Sequence, residues 1–506
     1  MFKQSFIEYI KDSGGRVSIL FLLFLLAVFS FYASGISGIA TICSIPLIIV
    51  LIYLAFHFKM LIFWTLFLAN FFIMGSILYI NLPCPISLPC EALEIILIAI
   101  LILDSKNIEF SRLGNTMFYA LLLWFFFACI EMFNNTCNLG FNFIVWITEV
   151  RLLVFQLLYI YIIFTLLITD YGTLIKYLRV LAVLCLLATI WVWRQKTFGF
   201  NAQELRWLWE GDHARTHIVG GTTRYFSFFS DAANFGCSMA SLSILFFILS
   251  ITAHLKKDKI FFIVTSVACL YSMFTSGTRT AIFCFFIGGF LYIFLSRSFK
   301  IAVPVTIIGL LFLFVLAFTQ IGQGNNMIRR MRTAFNKDDA SKGVRDVNKE
   351  AISKYMKEAP WGIGFGMNTA QVPANNKYKI VSGIPPDSTY VYIWVHTGVL
   401  GVTLFVIVNV LILLGGCRIV LFILHNKVLC GIGAAFCCGF IGINLGGYGN
   451  QILTQYPNVF IYYGGMALVY LLPKLEPAYI EFEKKDNQRL LEIKKKKEEE
   501  KNASRV

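Results

Sequence analysis

Long apolar runs of about 15–25 residues, separated by short polar turns, recur along most of the chain, and roughly 14 of them are long enough to cross a bilayer as helices. They centre near Leu25, Ile48, Leu68, Leu97, Trp124, Leu157, Leu186, Ile244, Thr265, Gly288, Leu310, Val402, Phe436 and Tyr463. Within runs such as 19–30 and 95–103 apolar and polar residues do not alternate, which excludes barrel strands. The pattern therefore predicts an all-α polytopic integral membrane protein with about 12–14 transmembrane helices. The run at 91–103 is the weakest span. The apolar stretch from Val17 to about Ala33 follows Lys3, Lys11 and Arg16; it reads as an uncleaved first helix, because further spans follow almost at once.

One segment breaks the pattern. Residues 321–387 are polar and basic, carry Arg329, Arg330, Arg332 and Arg345, and are enclosed by apolar runs on both sides. Such a segment does not lie in hydrocarbon, so it predicts a large water-facing loop. The expected organisation is N-terminal helices 1–193, a first Arg- and Trp-rich loop 194–232, central helices 233–320, the large loop 321–387, C-terminal helices 388–473 and a charged tail 474–506. Within the large loop, Ile352, Tyr355 and Met356 recur at helical spacing, which predicts an amphipathic helix lying over the membrane surface.

Charge orders the short loops. One alternating set carries Lys59, Lys106, Arg112, Lys176, Arg179, the lysines at 256, 257 and 259, Arg297, Lys300, Arg418, Lys427 and the tail, whereas 81–90, 133–141 and 446–457 contain no Lys or Arg. The positive-inside tendency places both termini in the cytoplasm and the loops 194–232 and 321–387 outside. Both outer loops are nevertheless rich in Arg, so topology does not account for their cations.

Composition agrees with a bilayer: 58% of residues are hydrophobic, 14% are charged and the mean hydropathy is +0.73. The net charge of +15 lies mostly at span ends, where it serves topology and contact with anionic membrane lipid rather than nucleic acid. The 13 cysteines form no CxxC pair, which argues against a metal framework. Cys84 and Cys90 flank a Pro-containing outer turn and read either as a disulfide or as two thiols.

Four polar constellations carry candidate chemistry. The first outer loop holds Arg206, Trp207, Trp209, Asp212, His213, Arg215, His217 and Arg224. His213 and His217 have i, i+4 spacing but lack a Glu between them and a further ligand, so no metal site is assigned. Arg with Trp suits a sugar phosphate, with guanidinium forks on phosphate oxygens and indole faces on sugar rings; an interfacial aromatic belt with snorkelling Arg is the other reading. Second, Arg224 and the stretch from Ser230 through Asn234 to Gly236 lead into a span, and Ser276-Gly277-Thr278-Arg279 interrupts another. An arginine there faces water or an anion. Third, Arg345 precedes the amphipathic helix, followed by Pro360-Trp361-Gly362-Ile363-Gly364-Phe365-Gly366, whose glycines lack the form of a nucleotide P-loop. Fourth, Asp387-Ser388-Thr389-Tyr390 opens the next span. Asp387 there is either a base for a hydroxyl or a helix cap, and His396 in the same span is either a proton relay or a packing residue.

In this order and spacing the four elements resemble the O-antigen ligase/polymerase family of bacterial surface glycan assembly, over about Arg215 to Gly401. Arg224 with 230–236 matches the family's Arg before a small-polar-Asn helix entry, and Thr278-Arg279 matches its Ser-Arg pair. Arg345 with 360–366 matches its Arg, amphipathic helix and Gly-x-Gly-x-Gly. Asp387-Ser388 stands where the ligase branch has His-Asn, a departure that favours a polymerase over a ligase.

The resemblance implies a metal-independent membrane glycosyltransferase without a cofactor, in a bacterial inner (cytoplasmic) membrane, acting on a polyprenyl-diphosphate-linked glycan. It implies repeat-unit polymerisation for O-antigen or capsule. The alternatives are ligation of glycan to a lipid A core and protein O-oligosaccharyl transfer. Under it, Arg279, Arg345 and Asp387 are catalytic, Arg224, Arg215 and Asn234 hold substrate, and Trp361 and Tyr390 are sugar platforms. A glycan or lipid A core acceptor, a chain-length regulator and a flippase are the implied partners. A transporter or lipid-linked glycan flippase is the competing class, kept open by Glu149 and Arg151 inside a long apolar run.

Overall fold

A computed structural model describes residues 57–80, 85, 87–219, 221–296, scattered positions between 304 and 332, and 340–503, with side chains as far as 484. The spans expected near Leu25, Ile48 and Leu310, and Cys84 of the candidate disulfide, lie outside the described residues.

The protein is an all-α polytopic membrane protein. Among the described residues seven helices are long and apolar enough to cross a bilayer: α1 (Lys59–Ser76), α4 (Phe143–Leu167), α5 (Tyr171–Phe198), α8 (Ala232–Thr252), α9 (Lys256–Thr275), α14 (Thr389–Ile423) and α15 (Lys427–Gly449). Shorter apolar helices are α2 (Leu88–Leu103), α3 (Thr116–Glu131) and α10 (Arg279–Leu295). The weakest expected span is thus a continuous helix of 16 residues. The remaining helices are α6 (Ala202–Glu210) and α7 (Ala214–His217) in the first polar loop, α11 (Asn326–Arg332), α12 (Ala340–Met356) and α13 (Lys379–Gly383) in the second, and α16 (Gly464–Ala503) at the end. Two strands of two residues each, Ile218–Val219 and Thr222–Thr223, pair antiparallel in the first loop.

Local sequence explains where the helices start. Asn115, Asn142, Asp170, Asp231, Ser388 and Asn426 each occupy an N-cap, and each side chain accepts from backbone N–H groups of the first turn. The bundle centres on α8, which is buried along most of its length and packs on α9, α10 and α15. Small residues permit the close approach: a Cβ at Gly288 of α10 would stand 2.8 Å from the Cys438 carbonyl oxygen of α15, and one at Gly442 would stand 2.9 Å from that of Cys284.

Charges at the two ends of the bundle are paired differently. At the end where α5 and α9 begin, Arg179 forks onto Asp258 with two bonds of 2.9 Å, and Lys59 pairs with Asp104. At the other end, Arg151 reaches Ser87 and Glu91 on α2. Glu149 accepts instead from the Tyr392 hydroxyl on α14. The two ionisable residues of α4 therefore serve different neighbours, at the start of a π-helical stretch at Arg151–Phe155.

The expected amphipathic helix of the large loop is present as α12. Its Ile352 and Met356 are buried against Ala359, Ile363, Val372, Tyr378, Val381 and Val395, a small core that the loop builds with the start of α14. These two apolar side chains are covered by the protein itself, and α12 forms a wall of the polar end of the bundle.

Candidate active site

The turn between α9 and α10 is built tightly. Gly277 has φ +60, and Ser276 Oγ donates to the Met273 carbonyl at 2.7 Å while accepting from the Thr278 N–H at 3.2 Å. Thr278 Oγ1 donates to the Ala232 carbonyl at 2.7 Å, fixing the turn on the first residue of α8. A Cβ at Gly236, one turn into α8, would stand 2.2 Å from Ser276 Oγ, so only glycine fits there. Arg224 donates to Thr278 Oγ1 at 3.0 Å and to the Thr216 carbonyl at 2.8 Å, and Arg330 donates to the Gly277 carbonyl at 2.9 Å. Two arginines thus brace the turn that launches Arg279. Burial, with the Arg330 cation next in importance, pushes the Arg224 guanidinium down to about 10, so it stays charged at neutral pH.

Asp387 is held apart from the helix it precedes. Ser388 takes the cap, its Oγ accepting from the Tyr390 N–H at 3.2 Å and donating to the Gly447 carbonyl at 3.1 Å. The carboxylate is therefore not spent on capping. It projects from a residue with φ +41, an unusual conformation for a non-glycine, and accepts from Asn348 Nδ2 at 3.1 Å. Arg345, one turn before Asn348 on α12, donates to Asn450 Oδ1 at 3.4 Å.

Between these elements lies a cavity of about 480 Å³, lined by Arg279, Thr280 and Phe283 of α10, Arg345, Asn348 and Lys349 of α12, Pro386 to Ser388, and Tyr448 and Gly449 at the end of α15. The three residues expected to be catalytic, Arg279, Arg345 and Asp387, come from segments 42 to 108 residues apart in the chain and share this one cavity. Asp346 lines it too, so the site places three cations beside two carboxylates, suited to holding an anion while a proton leaves a hydroxyl.

The expected binding residues are placed differently. Arg224 stands behind the cavity, bonded to the residue before Arg279. Asn234 is fully buried: Nδ2 donates to Ser230 Oγ at 2.9 Å and to the Tyr456 carbonyl at 3.0 Å, and Oδ1 accepts from Asn458 at 2.6 Å. It ties α8 to the loop at 450–458. Arg215 is exposed and pairs with Asp212 at 3.1 Å. Trp361 is half-exposed and stacks on Phe127, and the Tyr390 hydroxyl donates to Asn444 Oδ1 at 3.1 Å; neither lines the cavity. Sequence reasoning missed Asn348, Lys349, Tyr448 and Asn450. The first two were readable, since they follow Arg345 at i+3 and i+4 and share its face with Ile352.

The glycine-rich stretch 360–366 is a strap rather than a cradle. α14 is interrupted at Gly398, with φ +66, where a Cβ would stand 1.9 Å from the Pro360 carbonyl oxygen. The strap crosses at this break: Ile363 N–H donates to the Val395 carbonyl and Gly364 N–H to that of His396, both at 2.9 Å. The carbonyls freed by the broken helix are thereby satisfied. His396 Nδ1 in turn bonds the Gly364 carbonyl at 3.0 Å.

In the first polar loop Glu204 and His217 are turned inward, while Arg206, Glu210, Asp212 and Arg215 stay exposed. Glu204 is fully buried and accepts from Arg194 at 2.8 Å, Gln195 at 2.8 Å, Trp191 at 3.1 Å and the Asn201 N–H at 2.8 Å, the last closing a capping box on α6. His213 stacks on Trp207, and the buried His217 uses both ring nitrogens on backbone, Nδ1 with the His213 carbonyl at 3.0 Å and Nε2 with the Ala232 N–H at 3.3 Å. Burial pushes the His217 imidazole down to about 4, with the Arg224 cation adding to it.

Residues 264–406, which hold Arg279, Arg345, the strap, Asp387 and the break at Gly398, match the family model described as O-antigen ligase. Over this segment the chain is similar to an O-antigen ligase-related family. That match supports glycosyl transfer of the ligase/polymerase type, with a lipid-linked glycan and an acceptor as substrates. No curated protein matches the chain.

Proposed function

We propose that the protein polymerises polyprenyl-diphosphate-linked oligosaccharide repeat units into O-antigen or capsular polysaccharide at the outer face of the bacterial inner membrane. The observation that carries this reading is the meeting of Arg279, Arg345 and Asp387 around one cavity at the polar end of the bundle, inside the family-matched segment. Arg279 and Arg345, with Lys349 beside them, hold the donor diphosphate and stabilise the charge that grows on it as it leaves. Asp387, oriented by Asn348, takes the proton of the acceptor hydroxyl. The freed oxygen attacks the anomeric carbon, the bond from that carbon to the phosphate oxygen breaks, and the diphosphate departs with the electron pair. Attack opposite the leaving group inverts the anomeric carbon.

Arg224 and Arg330 act through the turn they brace, and Asn234 by fixing the start of α8. In this scheme Arg215 has no contact with substrate, and Trp361 and Tyr390 are left as platforms for glycan beyond the cavity. A carboxylate at Asp387, where the ligase branch has His, favours polymerisation over transfer to a lipid A core. Gel analysis of surface glycan from a deletion strain decides the point. Loss of a polymerase leaves single repeat units on the core, whereas loss of a ligase leaves bare core with lipid-linked polymer accumulating.

A further inference from the structure

Behind Pro386, which also lines the main cavity, lies a second one of about 120 Å³. Its polar lining is Glu149, Asn368, Ser382, Tyr392 and His396, and the rest of the wall is apolar or glycine. The two chambers differ in charge. The first is lined by three cations, Arg279, Arg345 and Lys349, against two carboxylates, Asp346 and Asp387, whereas the second, among the described residues, has no Lys or Arg in its lining and one carboxylate, Glu149. An anion is therefore favoured in the first and opposed in the second.

The second chamber offers acceptors to a ligand. Glu149 is acceptor-only as a carboxylate and is aimed by the Tyr392 hydroxyl, which donates to one of its oxygens. The Tyr392 ring packs 4.5 Å from that of His396, whose Nδ1 donates to the Gly364 carbonyl, leaving Nε2 as acceptor in the neutral ring. Groups of this kind recognise hydroxyls. The volume, well below the roughly 300–1,000 Å³ of ordinary ligand pockets, suits one small unit rather than an oligosaccharide. The walls are also fixed in advance: a Cβ at Gly366 would stand 2.4 Å from the Val145 carbonyl oxygen, so the strap sits hard against the start of the helix that carries Glu149.

We propose that this second cavity is the acceptor subsite: it takes the uncharged terminal sugar of the acceptor glycan, whose hydroxyls donate to Glu149, and presents the reacting hydroxyl past Pro386 to Asp387. The proposal rests on the glycosyl-transfer reading and deepens it. It also gives Glu149 a role without transport.

The test uses the purified full-length protein in lipid nanodiscs, with a lipid-linked repeat unit as donor and a free oligosaccharide of the same repeat as a varied acceptor. In Glu149→Gln, the acceptor KM is expected to rise about 10–100-fold, with kcat and donor KM within about twofold and donor hydrolysis without acceptor unchanged. Ser382→Trp, which fills the chamber from α13, is expected to give the same split. An acceptor KM within about twofold of the parent in both variants, or a donor KM rising in step with it, overturns the subsite while leaving glycosyl transfer standing. Absence of turnover in the parent protein overturns the glycosyl-transfer reading itself.

Discussion

The two arginine-bearing loops at the polar end of the bundle use their charges in opposite ways. In the segment 194–232 the ionisable groups are taken up within the loop: Arg194 meets Glu204, Arg215 meets Asp212, and His217 bonds backbone groups and the Thr216 hydroxyl. In the segment 321–387 and the turn beside it, Arg279, Arg345, Lys349 and Asp387 converge on a cavity. Similar composition thus builds a brace in one place and a site in the other. What separates them is where the charged groups gather: against one another in the first loop, and around one cavity in the second.

The comparison breaks first at Arg279. Arg279→Ala is expected to lower turnover of a lipid-linked repeat by about 10³-fold or more, near 4 kcal/mol of transition-state stabilisation, while the protein stays in the membrane at normal level. Polymer of normal length and yield in that variant would remove the cavity from the reaction.

The brace should fail in stability instead. Arg194→Ala removes the cation from the fully buried Glu204 carboxylate, leaving it only neutral donors, and a cost of about 3–5 kcal/mol is expected, read as a lowered thermal midpoint in detergent. A midpoint unchanged within about 1 °C would show that the loop does not lean on this pair.

The brace should also carry a pH signature. His217 titrates near 4 when folded and near its ordinary 6.5 when the loop is open, so only the open form takes up a proton between these values. The stability it contributes is present above about pH 6.5 and fades as pH falls toward 4, by up to about 3 kcal/mol. Hydrogen exchange of 194–232 should therefore be faster at pH 5 than at pH 7, after correction for intrinsic rates, and a His217→Gln variant should lose that difference. The smallest effect is expected at Arg215, whose pair with Asp212 lies in solvent: Arg215→Ala should change stability by less than about 0.5 kcal/mol and leave turnover unchanged.

How much of this was legible in the sequence follows from the physics of each feature. Hydrophobic run length predicts membrane helices because the bilayer imposes it, and the all-α architecture follows from that pattern. Arg279 and Asp387 stood out because each is charged where apolar sequence begins, and Arg345 because it precedes the amphipathic stretch of the polar loop. Their neighbours were harder to see. Asn348 and Lys349 lie on the face of Arg345, but helical periodicity was read for the apolar side alone. Asn234 looked like a ligand because an Asn at a helix entrance is polar, whereas its partners, Ser230, Tyr456 and Asn458, include residues more than 220 positions away. The strap at 360–366 resembled a loop for binding something, and what it binds is the break at Gly398, a backbone event that no side-chain pattern announces. The cover of α12 was hidden for a related reason. An apolar stripe states that a helix needs a cover, and here the cover is the loop itself.

The central claim is that Asp387 and the arginines around it form one transferring site. It is tested most directly by Asp387→Asn in purified protein, assayed for both binding and turnover of a polyprenyl-diphosphate-linked repeat. Loss of the base with the cations intact predicts donor affinity within about threefold of the parent and turnover lower by about 10²–10⁴-fold. Turnover within about twofold of the parent would contradict it, and so would loss of donor binding in equal measure.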